Sequence, residues 1–385
     1  MRRTSLAVPA LLAALGAAVP ARADNPGVTA APILQVPLGA RALGMGGAFT
    51  AVANDATALQ YNPAGLARLN AQEAQFTYVA AAGDATLQHL AYAAPLPLTG
   101  LSGYGYTTAA ASLLLSQSGT IQINSLNGDG SLGDSRTLSA GSDLVLSAGY
   151  AERVATTPID LKDGPSNLDH FFGVGGKYLS STLVQTYRAT SFAGDVGYLV
   201  SSPETGWSAG ASGLNLGGRL RYVTVSDPLP AAARGGVAWH GAVASESELL
   251  AAADGEYMLY EKTWRVNAGL EYFWQKTYGV RAGYQFHAGD QGGLTIGVGL
   301  RWQNRILFDY AYDLGDVLGN AQRVTLSYRF GEVLPSVRGR SRRAFIESAP
   351  EHEAMPDLEQ RRPESDRNER PRPREESQGA PGWIY

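Results

Sequence analysis

The sequence predicts an all-β chain: a transmembrane antiparallel β-barrel of about fourteen strands, with an N-terminal hatch or plug segment and a disordered C-terminal tail. Three observations carry this. Long segments alternate between apolar and polar residues, as in Val324, Leu326, Tyr328 and Phe330 against Arg323, Thr325, Ser327 and Arg329. The alternating segments approach the roughly 9–11 residues of a tilted membrane strand, longer than the usual strand of a soluble domain. Their apolar rows end in Trp, Tyr and Phe, while the opposite rows carry Arg, Lys, Asp and Gly. A soluble β-sandwich also alternates, but its core would not accept unpaired charges. A wet or salt-bridged lumen would.

The elements follow in order. Arg2 and Arg3 precede an apolar run from Leu6 to Val19 that stops at Ala21-Arg22-Ala23, so residues 1–23 read as a cleavable signal peptide with maturation near Asp24. The run is shorter than the roughly 20 residues of a spanning helix. No later apolar stretch reaches that length, so membrane residence must come from strands. Residues 24–70 are rich in Gly and Ala and carry Asn62, Pro63, Ala64 and Gly65, turn chemistry with little side-chain volume. Such a segment can fold compactly inside a narrow lumen and is expected to be the hatch.

Residues 71–330 form the expected barrel. Candidate strands lie near 75–82, 87–94, 100–108, 142–150, 171–180, 190–199, 207–214, 233–240, 246–253, 264–274, 278–286, 294–302, 305–312 and 322–330. The number is even, as closure of a bacterial barrel requires. With the N-terminus in the periplasm every second connection should be short, and Pro95–Thr99, Ser201–Gly206, Gln275–Thr277 and Gln303–Asn304 are. The stretches 109–141 and 213–232 are expected as longer external loops, and 151–170 as an unusually long loop on the periplasmic side. After Phe330 the chain becomes a mixture of Arg, Glu, Asp and Pro, so 331–385 is expected to be a disordered, charged periplasmic tail.

The inward rows place Asp143, Lys177, Asp195, Arg265, Glu271, Arg281, Arg301, Asp309, Arg323 and Arg329 in the lumen. Both signs are present. They fit ion pairs that brace strands and hatch, and also a selective permeation path.

Composition and motifs exclude much chemistry. With 31 basic and 35 acidic residues there is neither a nucleic-acid footprint nor a polybasic membrane patch, and the absence of Cys rules out disulfide staples. Gly44-Met45-Gly46-Gly47 lacks the following Gly-Lys-Ser/Thr of a phosphate loop. Asn127-Gly128-Asp129-Gly130-Ser131 imitates the start of a calcium loop, yet Leu138 stands where the bidentate Glu should be. His89, His170, His240, His287 and His352 are scattered, with no metal-ligand spacing and no triad motif. No catalytic, metal-binding or cofactor-binding residue is expected, and no enzyme.

The stretch from Gly39-Ala40-Arg41-Ala42-Leu43-Gly44 through Asn54-Asp55-Ala56, followed by Tyr61-Asn62-Pro63-Ala64-Gly65-Leu66, resembles the N-terminal signature of the PorV/PorQ family. Asp309-Tyr310-Ala311-Tyr312, Leu314-Gly315-Asp316 and Arg323 to Phe330 are similar to that family's final hairpin. Gly173 to Leu179, Ala193 to Leu199 and Gly213-Leu214-Asn215-Leu216-Gly217 resemble its middle strands. The resemblance runs in order over residues 37–330 and implies membership of the wider FadL-like group, whose fourteen-stranded barrels hold a hatch with an Asn-Pro-Ala element, here Asn62-Pro63-Ala64. It implies a bacterial outer-membrane location and two functions from different classes. One is a protein-binding accessory of type 9-like secretion or surface attachment, with exported proteins or secretion components as partners. The other is a FadL-like transporter that holds a hydrophobic small molecule in its lumen. The expected surroundings are outer-membrane lipid, and no nucleic acid.

Overall fold

The computed structural model describes residues 27–81, 84–161, 164–287, 292–314, 321–331 and 333. The expectations placed on the signal peptide, the tail beyond 333 and His352 lie outside these residues.

Fourteen antiparallel strands close into a barrel. They are β1 (Gln72–Ala80), β2 (Thr86–Thr99), β3 (Tyr106–Leu126), β4 (Leu132–Leu161), β5 (Gly164–Leu183), β6 (Tyr187–Ser201), β7 (Trp207–Leu216), and, beyond a small hairpin of β8 (Arg219–Arg221) and β9 (Ser226–Pro228), β10 (Ala232–Ala244), β11 (Ser247–Met258), β12 (Thr263–Trp274), β13 (Tyr278–His287), β14 (Gly293–Trp302), β15 (Ile306–Asp313) and β16 (Ala321–Phe330). Closure is made by β1 on β16, from Gln72 opposite Phe330 to Ala80 opposite Gln322. Every strand of the wall has a partner on each side, although β6 runs on distally beyond the end of β7.

Alternation dictates which side chains face out. On β14, Leu294, Ile296, Val298, Leu300 and Trp302 are exposed, and on β12 so are Trp264, Val266, Leu270, Tyr272 and Trp274. The same row of Val, Leu, Ile and aromatics runs around the wall through Phe76, Leu90, Leu146, Val174, Val280, Phe308 and Leu326. An exterior band of this kind is stable in hydrocarbon and not in water. Among the described residues no helix is long and apolar enough to cross a membrane.

The end of the barrel where β1 begins and β16 finishes, the proximal end, is joined by short connections. The turns after Trp274 and Trp302 each place two residues in the left-handed region, Gln275 and Lys276, then Gln303 and Asn304. Their closing bonds run from Thr277 N to the Trp274 carbonyl (3.1 Å) and from Arg305 N to the Trp302 carbonyl (3.0 Å). These are the mirror-image hairpin turns whose twist matches that of the strands. Three expectations change. Residues 109–141 are not a loop: β3 and β4 continue past the wall as a two-stranded ribbon whose tip is Asn127–Ser131. Residues 151–170 are not a loop either, because β4 and β5 extend at the proximal end and stay paired out to Leu161 opposite Gly164. The turn placed at Pro95–Thr99 lies instead at residues 100–105, because β2 runs through to Thr99 and β3 starts at Tyr106. In all three places, polar residues and Pro at the sheet margin mask strands whose backbone pairing continues.

Candidate functional site: the plugged lumen

Residues 27–71 fill the inside of the barrel. They comprise a 3₁₀ turn Pro32–Gln35, helix α1 (Ala40–Gly44), helix α2 (Ala58–Tyr61) and a second 3₁₀ turn Pro63–Arg68. None is long enough to be stable alone; packing against the wall holds them. Helix α1 lies against β13–β16, and Pro63–Arg68 against β3–β6 on the opposite side. The wall makes room by omitting side chains. A Cβ on Gly173 would collide with Pro63 and Ala64, and one on Gly283 with Met45 and Gly46. The core of the plug, Met45, Phe49, Leu59, Tyr61 and Leu66, is fully buried.

The Asn62-Pro63-Ala64-Gly65 element has a local logic. Asn62 caps the turn, its Oδ1 accepting from Ala64 N at 3.1 Å, and Pro63 takes the first position, where no N–H is needed. The Asn62 Nδ2 donates to the carbonyls of Thr50 (3.0 Å) and Tyr198 (3.1 Å), tying plug to plug and plug to wall. Gly65 admits no Cβ because the Ala53 carbonyl occupies that space.

Inward side chains satisfy the plug's backbone. The Asp254 carboxylate accepts from Phe49 N and Thr50 N, both at 2.8 Å, and Glu73 accepts from Ala56 N at 2.9 Å. Thr325 Oγ1 accepts from Ala40 N at 2.9 Å, and Ser212 Oγ donates to the Tyr61 carbonyl at 2.7 Å. Buried backbone groups without partners would each cost about 1–3 kcal/mol, so these contacts set where the plug sits.

The ten charges placed in the lumen by sequence form several clusters and not one network. Glu271 bridges Arg41 (2.8 Å) and Arg281 (2.6 Å), and Arg281 reaches Asp309 at 2.7 Å. Lys177 pairs with Asp195 at 3.0 Å and donates to Asn215 at 2.7 Å. Arg329 meets Glu73 at 2.7 Å, and Arg301 lies 3.6 Å from Glu248 with its guanidinium 4.2 Å from the Phe273 ring centre. Arg265 donates to Gln35 at 2.6 Å, while Asp143 accepts from Ser181, whose hydroxyl also takes the Tyr222 phenol at 2.7 Å. Arg323 is buried on the inner face of β16. With Arg234, it partly offsets the burial that pushes the Tyr61 phenol up.

Three plug-binding groups escaped the sequence reading. Arg41 sits in the plug, where burial works against its charge, but Glu271 and Asp55 together hold its pKa above the usual arginine value. Asp254 and Glu73 fall just beyond the expected strands 246–253 and 75–82, whereas β11 runs on to Met258 and β1 starts at Gln72. What marks each of them is an acid on an inward row.

Two regions flank the plug, a packed apolar cluster and a cavity. The distal one is apolar: Val79, Leu87, Leu114, Val145 and Leu179 from β1–β5 point inward and pack on Ile33 and Leu38, with Leu220 and Leu229 of the β8–β9 hairpin region above. The proximal one is a cavity of about 600 Å³ under the plug with a mixed lining, charged through Arg41, Arg68, Arg153, Arg301 and Glu248 and apolar through Phe273 among others. Arg68 donates to the Val52 carbonyl at 3.1 Å. Burial, then Arg41, pulls its pKa down to about 10, so it remains a cation at neutral pH. Among the described residues, no three His, Asp or Glu side chains are grouped to hold a metal ion.

Residues 12–141 match an uncharacterised protein family, UPF0164. No curated protein sequence matches the chain. Among solved structures it is similar to the Ralstonia pickettii toluene transporter TbuX, at 13% identity over 76% of this chain and 98% of that one, TM-score 0.47. It is also similar to the Pseudomonas putida toluene transporter TodX (13% identity, 76% and 97% covered, TM-score 0.49) and to a Pseudomonas aeruginosa FadL homologue (13% identity, 77% and 99% covered, TM-score 0.43). Likeness at this level assigns no substrate.

Proposed function

We propose that the chain is an outer-membrane channel for hydrophobic small molecules, with its proximal end in the periplasm. The observation that carries this is the distal compartment. A water-filled pore has a polar inner wall, whereas here β1–β5 present Val79, Leu87, Leu114, Val145 and Leu179 to the lumen. These side chains are covered by residues 30–38, which contain two prolines and make no strand pairing with the wall. Apolar lining with few polar groups is the composition of a small-molecule pocket. Short proximal turns and the long β3–β4 ribbon at the distal end support the orientation, which also puts the start of the C-terminal tail in the periplasm.

A side exit is built next to the compartment. β7 stops at Leu216 while its neighbour β6 continues distally to Tyr187, and their pairing slips between Gly194 and Val196. The β8–β9 hairpin region covers the gap, with Leu229 N donating to the Gly218 carbonyl (3.0 Å) and Asn215 Nδ2 to the Pro230 carbonyl (3.2 Å). The secretion reading rests on the PorV/PorQ resemblance alone, and no feature of the barrel favours it.

The test is uptake. Deleting the gene should slow accumulation of labelled alkylbenzenes and long-chain alkanes or alcohols, and wild-type protein should restore it. Normal uptake of every compound, with loss of exported surface proteins instead, would replace the channel by the secretion role.

A further inference from the structure

Inside the apolar compartment's wall stands one residue that fits neither the plug nor the ion pairs. His89 on β2 is completely buried, and neither ring nitrogen has a hydrogen-bond partner. It faces inward with Leu87 and Ala91, while Gln88, Leu90 and Tyr92 face out. Across the sheet it stands opposite Thr77 on β1 and Leu114 on β3. It therefore lies at the floor of the compartment, one step on the inner row from Leu87.

A buried imidazole with two idle nitrogens is costly, and an apolar residue of similar size would be easier to accommodate there. The segment that covers the compartment does nothing for it. Residues 30–38 present Ile33, Leu34, Val36 and Leu38 to the apolar cluster. Their polar ties run elsewhere: Ala30 N to the Pro228 carbonyl (2.9 Å), Gln35 to Glu261 (2.9 Å) and Arg265 to Gln35 (2.6 Å). The segment fills the space with aliphatic side chains and leaves the histidine unmatched.

We propose that His89 is the polar anchor for the transported molecule, so that the channel selects alkylated alcohols and phenols over plain hydrocarbons. The proposal rests on the channel reading and names its substrate class. When an apolar molecule displaces residues 30–38, a hydroxyl at its inner end meets an imidazole nitrogen. Neutral imidazole offers one donor and one acceptor, and a hydroxyl can answer either. A hydrocarbon would leave both nitrogens idle.

The experiment compares matched pairs on the full mature protein in detergent micelles, by calorimetry: para-ethylphenol with para-ethyltoluene, and octanol with nonane. The hydroxylated member should bind roughly tenfold tighter to wild type, the gain of one satisfied hydrogen bond. In His89→Leu the two members should bind alike, with hydrocarbon affinity undiminished. Equal binding of each pair to wild type, or a preference that survives His89→Leu, overturns the proposal and leaves the channel reading standing. Failure of all four compounds to bind wild type removes the channel reading itself. Should His89→Leu not fold, NMR of histidine-labelled wild type decides. The His89 ring nitrogens should shift with para-ethylphenol and not with para-ethyltoluene, and an unmoved signal overturns the assignment.

Discussion

Glu271 holds two guanidinium groups at once, Arg41 of the plug and Arg281 of the wall, and is almost fully buried. Removing one member of such a cluster leaves charge without compensation, which typically costs about 3–5 kcal/mol. Glu271→Gln should therefore lower the temperature at which the barrel loses its compact gel mobility in detergent, and should expose the plug to protease. An unchanged temperature would mean the cluster is not structural. His89→Leu should move stability the other way, because it deletes two idle polar atoms whose burial costs about 1–3 kcal/mol. A destabilised apo barrel would show that the imidazole is satisfied inside the folded barrel. Alternation gives the ten lumen charges as an expectation; which inward side chains pair is decided by register, which alternation does not carry.

At the scale of elements, the plug and the wall are shaped to each other by absent side chains. Gly283→Val puts atoms where Met45 and Gly46 run, whereas Gly235 faces open space. The first substitution should leave the barrel folded but displace the plug, raising single-channel conductance in planar bilayers and opening residues 39–70 to protease. Gly235→Val should do neither. Equal conductance in the two variants would place the barrier outside the plug. The root of the β8–β9 region is held by Asn215, whose backbone N–H donates to Asp195 at 2.7 Å. Asp195→Ala strands Lys177 and should release residues 217–231 to proteolysis ahead of the barrel. Simultaneous cleavage of loop and wall would count against a separable cover. Strand existence was readable along most of the chain, yet strand ends were not. The β4–β5 extension carries Thr156-Thr157-Pro158 and Gly164-Pro165, residues that break strands in isolation and are tolerated at a sheet margin.

At the scale of the molecule, the two solvents of the wall are the governing fact. Ile296 is exposed near the middle of β14, and its neighbours Leu294 and Val298 are exposed too. Ile296→Arg should cost about 2–4 kcal/mol when unfolding is followed in lipid vesicles with denaturant. A change near zero would mean that this face does not meet hydrocarbon. Barrel closure ties β1 to β16 across most of the chain length, around the plug.

The sequence by itself determined the class, because a two-residue period with aromatic row ends and charged opposite rows reports the solvent on each face of a strand. It also carries, in small residues and the Asn62-Pro63-Ala64-Gly65 turn, the expectation of a segment folded inside the lumen. Only the tertiary structure decided which compartment is apolar. Val79, Leu87, Leu114, Val145 and Leu179 sit on inward rows alongside serines and threonines. They become one surface only when closure and register bring five strands to the same height.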